Sequence, residues 1–144
     1  CLSSLGMTST YVSEIYSPPR FAAVAPRIGL RAGFSADLET LKPNGVAADF
    51  EKDEDVKELM ERIDTEDPYF LTGSPPCEAF SELINILKHS RDPNNIEERK
   101  QRGRQHLCTA IRAYWKQLEK FRAGEKRYFL HEHPWGQPHG TSRK

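Results

Sequence analysis

A chain of 144 residues can bury one core but is too short for two comfortable domains. With 37% hydrophobic and 29% charged residues it fits a soluble globular protein, and no apolar run approaches the roughly 20 residues that cross a bilayer. Bases and acids balance at 21 each, yet residues 37–82 carry 14 acids and 4 bases (a net of −10) while residues 88–127 carry 12 bases and 5 acids (+7). Such a split suits a basic half that faces an anion, a phosphate backbone for example; a solvated mixed-charge helix face gives the same count.

The opening CLSSLGMTSTYV lacks a basic start followed by an apolar stretch, so no signal peptide is visible. The chain starts at Cys1 and reads as an excerpt of a longer polypeptide, whose further segments are expected partners. Cys1, Cys77 and Cys108 form no disulfide framework, which points to an intracellular setting, nuclear or cytoplasmic. Residues 1–10 read as disordered or linker, 11–134 as one core and 135–144 as loop or tail.

In chain order, Tyr11–Tyr16 alternates as a strand and Ser17-Pro18-Pro19 stops it. Phe21–Ile28 is a short helix ended by Gly29, and Gly33–Leu38 and Val46–Phe50 are two further short strands. Over Asp53–Ile63 the apolar residues Val56, Leu59, Met60 and Ile63 have helical spacing, with acids in the first turn. Tyr69–Thr72 is a buried strand, Ser81–Lys88 a helix and Arg91–Asn95 a loop. The longest helix spans Ile96–Arg122, with Leu107, Ile111, Tyr114 or Trp115, Leu118 and Phe121 as its inward stripe and Cys108 on or near it. Arg127–His133 is the last strand. Strands alternating with helices predict an α/β fold, an open and mainly parallel sheet with helices on both faces, whose ligands bind at the carboxyl ends of the strands.

The stretch Leu71–Ser81, LTGSPPCEAFS, carries the most chemistry. A strand ends in glycine, two prolines stiffen the loop, and Cys77 follows just before a helix. A thiol near a helix N-terminus is favoured as thiolate and so as a nucleophile; the bland reading is a small cysteine in a turn.

GSPPCEAFS resembles the Pro-Cys loop of the cytosine-5 DNA methyltransferases, Gly-x-Pro-Pro-Cys-Gln-x-Phe-Ser, departing at Glu78 where that family has glutamine. YFLHEHP, Tyr128–Pro134, is similar to the family's Phe-x-x-Glu-Asn-Val strand end and sets Glu132 at its glutamate. The resemblance spans residues 11–134 and implies a truncated, Rossmann-like class I methyltransferase core with five strands in the order 3-2-1-4-5. It further implies S-adenosylmethionine as cofactor and DNA as partner, with RNA as the other nucleic acid to consider, and no membrane. Cys77 and Glu132 would then be catalytic. Glu14, Tyr16 and Ser17 of the first turn, Asp37, Asp49, Ser74 and Pro75 would face the cofactor. Ser81, Arg99, Lys100, Arg102 and Arg104 would face nucleic acid. The first turn departs from the family in having Ser17-Pro18-Pro19 where glycines stand, and the Gln-x-Arg-x-Arg segment and the target-recognition region have no counterpart.

Two other readings remain open. One is a catalytically inactive nucleic-acid-binding remnant of a mobile-element polyprotein, acting through the basic helix. The other is a metal site from His131, His133, His139 and Cys77, for which no Cys-x-x-Cys or His-Glu-x-x-His spacing is present.

Overall fold

The computed structural model describes residues 11–39, 45–76 and 93–132. The order is β1 (Tyr11–Ile15), α1 (Phe21–Val24) with a 3-10 turn (Ala25–Ile28), β2 (Arg31–Ala36), α2 (Asp53–Glu66), β3 (Phe70–Gly73), α3 (Pro93–Arg122) and β4 (Tyr128–His131). The strands form one open sheet in the order β2-β1-β3-β4, and every pair is parallel. The chain is therefore α/β, as its alternation of strand and helix patterns predicts. A phenylalanine of α1, Phe21, meets Phe70 on one face of the sheet, while Ile15, Phe34 and Leu71 pack with α2 and α3 on the other.

One expected strand is missing. Val46–Phe50 makes only an isolated β-bridge, at Ala47, so among the described residues four strands stand where five were predicted, in the predicted order without the outermost. The cause is local competition for hydrogen bonds. The Asp49 amide donates to the Asp55 carboxylate (2.6 Å), the Glu51 amide to Asp49 Oδ1 (3.1 Å) and the Lys52 amide to the Asp49 carbonyl (2.9 Å). Short acidic side chains thus fold the segment into turns that launch α2, and Ala48 and Phe50 are buried without a strand.

Helix α2 follows its periodicity, burying Val56, Leu59, Met60 and Ile63. Its dipole is met by Asp53, Glu54 and Asp55 in the first turn, and Asp67 closes it at φ 46°. The Asp67 carboxylate joins Lys120 of α3 and the buried Arg127 that precedes β4, tying three elements at the amino end of the sheet.

Helix α3 starts three residues earlier than predicted, taking Pro93–Asn95 from the expected loop, as proline suits a first helical turn. Its inward face is also rotated by about one position. The residues turned in are His106, Thr109, Ala110, Ala113, Tyr114 and Gln117, whereas Ile111, Trp115 and Phe121 are half exposed, at 50, 50 and 54%. Cys108, expected near the inward stripe, is exposed. Small Ala110 and Ala113 let the helix backbone approach the sheet, where Tyr114 donates to the Gly73 carbonyl and His106 meets Tyr16. Size-weighted periodicity points at the wrong face in such a case.

Candidate functional site

Four features meet at the carboxyl edge of the sheet: the first turn after β1, the ends of β3 and β4, the loop into α2, and the amino-terminal half of α3.

The ends of β3 and β4 are the best-defined part. Strand pairing sets Gly73 beside His131 and carries on one residue further, with the Glu132 amide donating to the Gly73 carbonyl (2.9 Å). Ser74 then donates its hydroxyl to Glu132 Oε2 at 3.0 Å. Its amide bonds the Ile15 carbonyl (3.2 Å), so the residue is pinned from both sides. Pro75 is buried and Pro76 half-buried, leaving the loop little freedom as it heads toward Cys77. Cys77 and Ser81 lie outside the described residues. Ser74, three positions before Cys77 in the sequence, is thus bonded to Glu132, the other member of the expected catalytic pair.

Behind this pair stand two side chains that the motif comparison does not single out. The Tyr114 hydroxyl donates to the Gly73 carbonyl (3.2 Å) and lies 3.1 Å from His131 Nδ1. Its ring stacks on Phe129 at 4.8 Å, and burial pushes its hydroxyl well above the ordinary tyrosine range. This approach requires the glycine. A Cβ on Gly73 would fall 2.3 Å from Tyr114 Oη and 2.8 Å from Ile15 Cγ1. The glycine closing a buried strand was the visible signal; nothing in the sequence named its partner on the helix.

In the first turn, Glu14 is fully buried, with Oε2 accepting from Ser17 Oγ (3.0 Å) and Oε1 from the Ala22 amide (2.7 Å). It anchors the turn and the start of α1. Tyr16 adopts φ 57°, the left-handed region that suits glycine, and its amide donates to the Ala36 carbonyl. The Tyr16 ring packs edge-on against Phe50 (4.8 Å) and His106 (5.5 Å), and its hydroxyl donates to the His106 carbonyl. Burial raises the Tyr16 hydroxyl and lowers His106, the latter against the opposing pull of Glu51 and Asp49.

Asp37 leaves the end of β2 half-buried and takes the Leu38 amide on Oδ1 (2.9 Å). Asp49 is brought beside the first turn by its neighbour Phe50. The Lys52 ammonium, and after it the Glu51 amide, hold the Asp49 carboxyl below the usual carboxylate range. These placements bear on a nucleotide cofactor in opposite ways. Two carboxylates stand on carboxyl-edge loops, where ribose and adenine donors can be accepted. The first turn, however, has Pro18 and Pro19, which offer no N–H to the methionine end, and Ser17 is turned toward Glu14 and the Pro18 carbonyl.

The predicted basic cluster lies at the same edge, since neighbouring His106 meets Tyr16 and Gln105 donates to the Glu51 carbonyl. Arg102 pairs with Glu51 (3.6 Å), while Lys100 and Arg104 pair with Glu97 (3.8 and 3.5 Å); Arg99 is half-buried. Such surface pairs are weak and can be exchanged for phosphate. Of the suggested metal ligands, His131 has its Nδ1 beside the Tyr114 hydroxyl, and His133, His139 and Cys77 lie outside the described residues. Among the described residues no cluster suited to a metal occurs, and no helix is long and apolar enough to cross a membrane. A groove of about 500 Å³ lies elsewhere, on the helical layer between Met60 of α2 and Ile111 and Trp115 of α3.

Compared with family models, curated proteins and solved structures, the chain matches none.

Proposed function

We propose that this chain is a truncated class I methyltransferase core of the cytosine-5 DNA methyltransferase type. The observation that carries the reading is the hydrogen bond from Ser74 to Glu132, which sets the start of the GSPPC loop against the candidate acid at adjacent strand ends. The strand order β2-β1-β3-β4, all parallel, supports it, as do carboxyl-edge positions for Asp37 and Asp49.

In this reading a cytosine is flipped out of its duplex, because ring carbon 6 is unreachable within the stack. Phosphates of the strand replace Glu97 and Glu51 on Lys100, Arg102 and Arg104. The Cys77 thiolate forms a bond to carbon 6, and the electron pair of the 5,6 double bond moves to carbon 5. Glu132, protonated, donates to ring nitrogen 3 and accepts from the exocyclic amine, stabilising the charge that develops. Ser74 holds that carboxyl in place. S-adenosylmethionine, when bound, supplies the methyl group that carbon 5 acquires. Loss of the carbon-5 proton then breaks the sulfur–carbon bond and frees Cys77. The nucleus or the cytoplasm is the setting this activity needs.

A second reading, a nucleic-acid-binding remnant without methyl transfer, is favoured by the first turn, where Glu14, Ser17 and Ala22 bond one another and two prolines follow. Calorimetric titration with S-adenosylmethionine separates the two. The enzyme reading expects binding that Asp49→Ala weakens at least several-fold, since a hydrogen-bond partner is removed. DNA retention with no heat from S-adenosylmethionine favours the remnant.

A further inference from the structure

Strand β4 ends the sheet beyond β3, yet its side chains are those of an interior strand. Tyr128 and Leu130 on one face and Phe129 on the other are 41, 44 and 44% exposed, and Phe121, 6.3 Å from Tyr128, is 54% exposed beside them. Edge strands are commonly blunted by charges, prolines or bulges. At the opposite edge β2 shows such treatment: it bulges against β1 between Val12 and Glu14, Glu66 takes the Phe34 amide, and Arg31 sits at its start. In β4 the amides of Tyr128 and Glu132 donate to Tyr69 and Gly73 of the β3 segment. By alternation, the N–H and C=O of Phe129 point away from β3, to a side where no strand lies among the described residues.

We infer that this edge pairs antiparallel with β4 of a second copy of the chain, about a two-fold axis through Phe129. The register is chosen by charge. With Phe129 facing the partner's Phe129, Tyr128 stands opposite the partner's Leu130, and Lys126 opposite the partner's Glu132. Two-fold symmetry repeats each match. Lys126 is exposed and makes no ion pair among the described residues, while Glu132 is an exposed carboxylate bonded by Ser74. An axis through Leu130 would instead set Tyr128 against the partner's Glu132 and leave Lys126 unmatched. Directly opposed strand residues share a face with their Cβ atoms about 5 Å apart. Lys126, at the turn where the Arg127 amide bonds the Glu125 carbonyl, and Glu132 flank β4, and their long side chains reach each other from the two ends of the paired strands. The association stands on the edge itself and not on the methyltransferase reading, although it would bring the partner's Lys126 beside the carboxylate assigned there to the base.

Sedimentation equilibrium of the full chain over the micromolar range tests this. The wild type is expected to dimerise. Lys126→Glu and Glu132→Lys each oppose like charges at two symmetric places and should weaken the dimer about ten-fold at low salt. Combining the two changes should restore it, while far-ultraviolet circular dichroism reports that each variant is folded. A folded wild type that stays monomeric at every concentration overturns the inference. So does a dimer that the single changes leave untouched, or one that the double variant fails to recover.

Discussion

Replacing Gly73 with alanine adds one methyl group at the most crowded point of the site. The new Cβ would lie 2.3 Å from Tyr114 Oη, 2.8 Å from Ile15 Cγ1 and 3.2 Å from Ile15 Cδ1. Ile15 is fully buried within the sheet and cannot withdraw, so the relief must come from Tyr114, which would give up its bond to the Gly73 carbonyl. Overpacking of this kind costs about 1–3 kcal/mol, and the displaced hydroxyl adds about 1 kcal/mol. A total of about 2–4 kcal/mol should appear as a lower urea midpoint at unchanged slope. Tyr114→Phe alone should cost about 1 kcal/mol, through the lost hydroxyl. In the double variant the atom nearest to the new methyl is gone, so the two losses should fall short of their sum by at least about 0.5 kcal/mol, the scale of coupling between contacting residues. A single alanine variant within about 0.5 kcal/mol of wild type, or strict additivity, would refute the crowding argument.

Other consequences lie away from that contact. Arg127 is 2% exposed and shared between Asp67 and Glu125, so Arg127→Ala, which leaves Asp67 with Lys120 alone, should destabilise the chain by about 1.5–3 kcal/mol in urea melts, the worth of a hydrogen bond to a charged group. Asp67 itself, held below the usual carboxylate range first by Arg127 and then by Lys120, contributes stability above its unfolded pKa that is lost as pH falls through its lower folded value. Urea midpoints between pH 6 and about 3 should therefore fall less steeply in Asp67→Asn than in wild type; equal slopes would remove the linkage. His106 is lowered by burial, so the unfolded chain takes up its proton first and stability should decline as pH drops below about 6.5. In His106→Gln that step should be absent, and a wild-type curve flat through this range would contradict it. Ser74→Ala should slow formation of the Cys77 adduct by roughly five-fold without unfolding the chain, as a hydrogen bond worth about 1 kcal/mol that holds the Glu132 carboxyl in place is removed.

Much of the layout was legible in the residues. The order of elements, the parallel sheet and the inward face of α2 follow from alternation, three-and-four spacing and turn residues. What was illegible has specific causes. Asp55 captures the Asp49 amide within the expected strand Val46–Phe50 and Asp49 captures the Glu51 amide just after it, and periodicity cannot see that competition. Along α3, hydrophobic size points to Ile111, Phe121 and either Tyr114 or Trp115, while contact with the sheet selects Ala110, Ala113 and, of the two aromatics, Tyr114. Exposure of Cys108, which was expected on or near the inward stripe, follows from that rotation. At the site, the motif led to Glu132 and the strand end that holds Ser74; Tyr114 was expected on the inward stripe and His131 in a metal site, but their meeting at Gly73 is visible only in the fold.

The central claim is that Cys77 attacks a cytosine held by Glu132, and trapping the covalent adduct tests it most directly. Duplex DNA of random sequence with every cytosine replaced by 5-fluorocytosine presents all targets at once, and fluorine in place of the carbon-5 proton blocks release of the cysteine. With S-adenosylmethionine added, the wild-type chain should give a denaturation-resistant protein–DNA adduct that peptide mass mapping assigns to Cys77. Cys77→Ser should give none, and Glu132→Gln should give it more slowly. An adduct that maps to exposed Cys108, or a folded chain that binds S-adenosylmethionine and this DNA yet forms no adduct, would contradict the account.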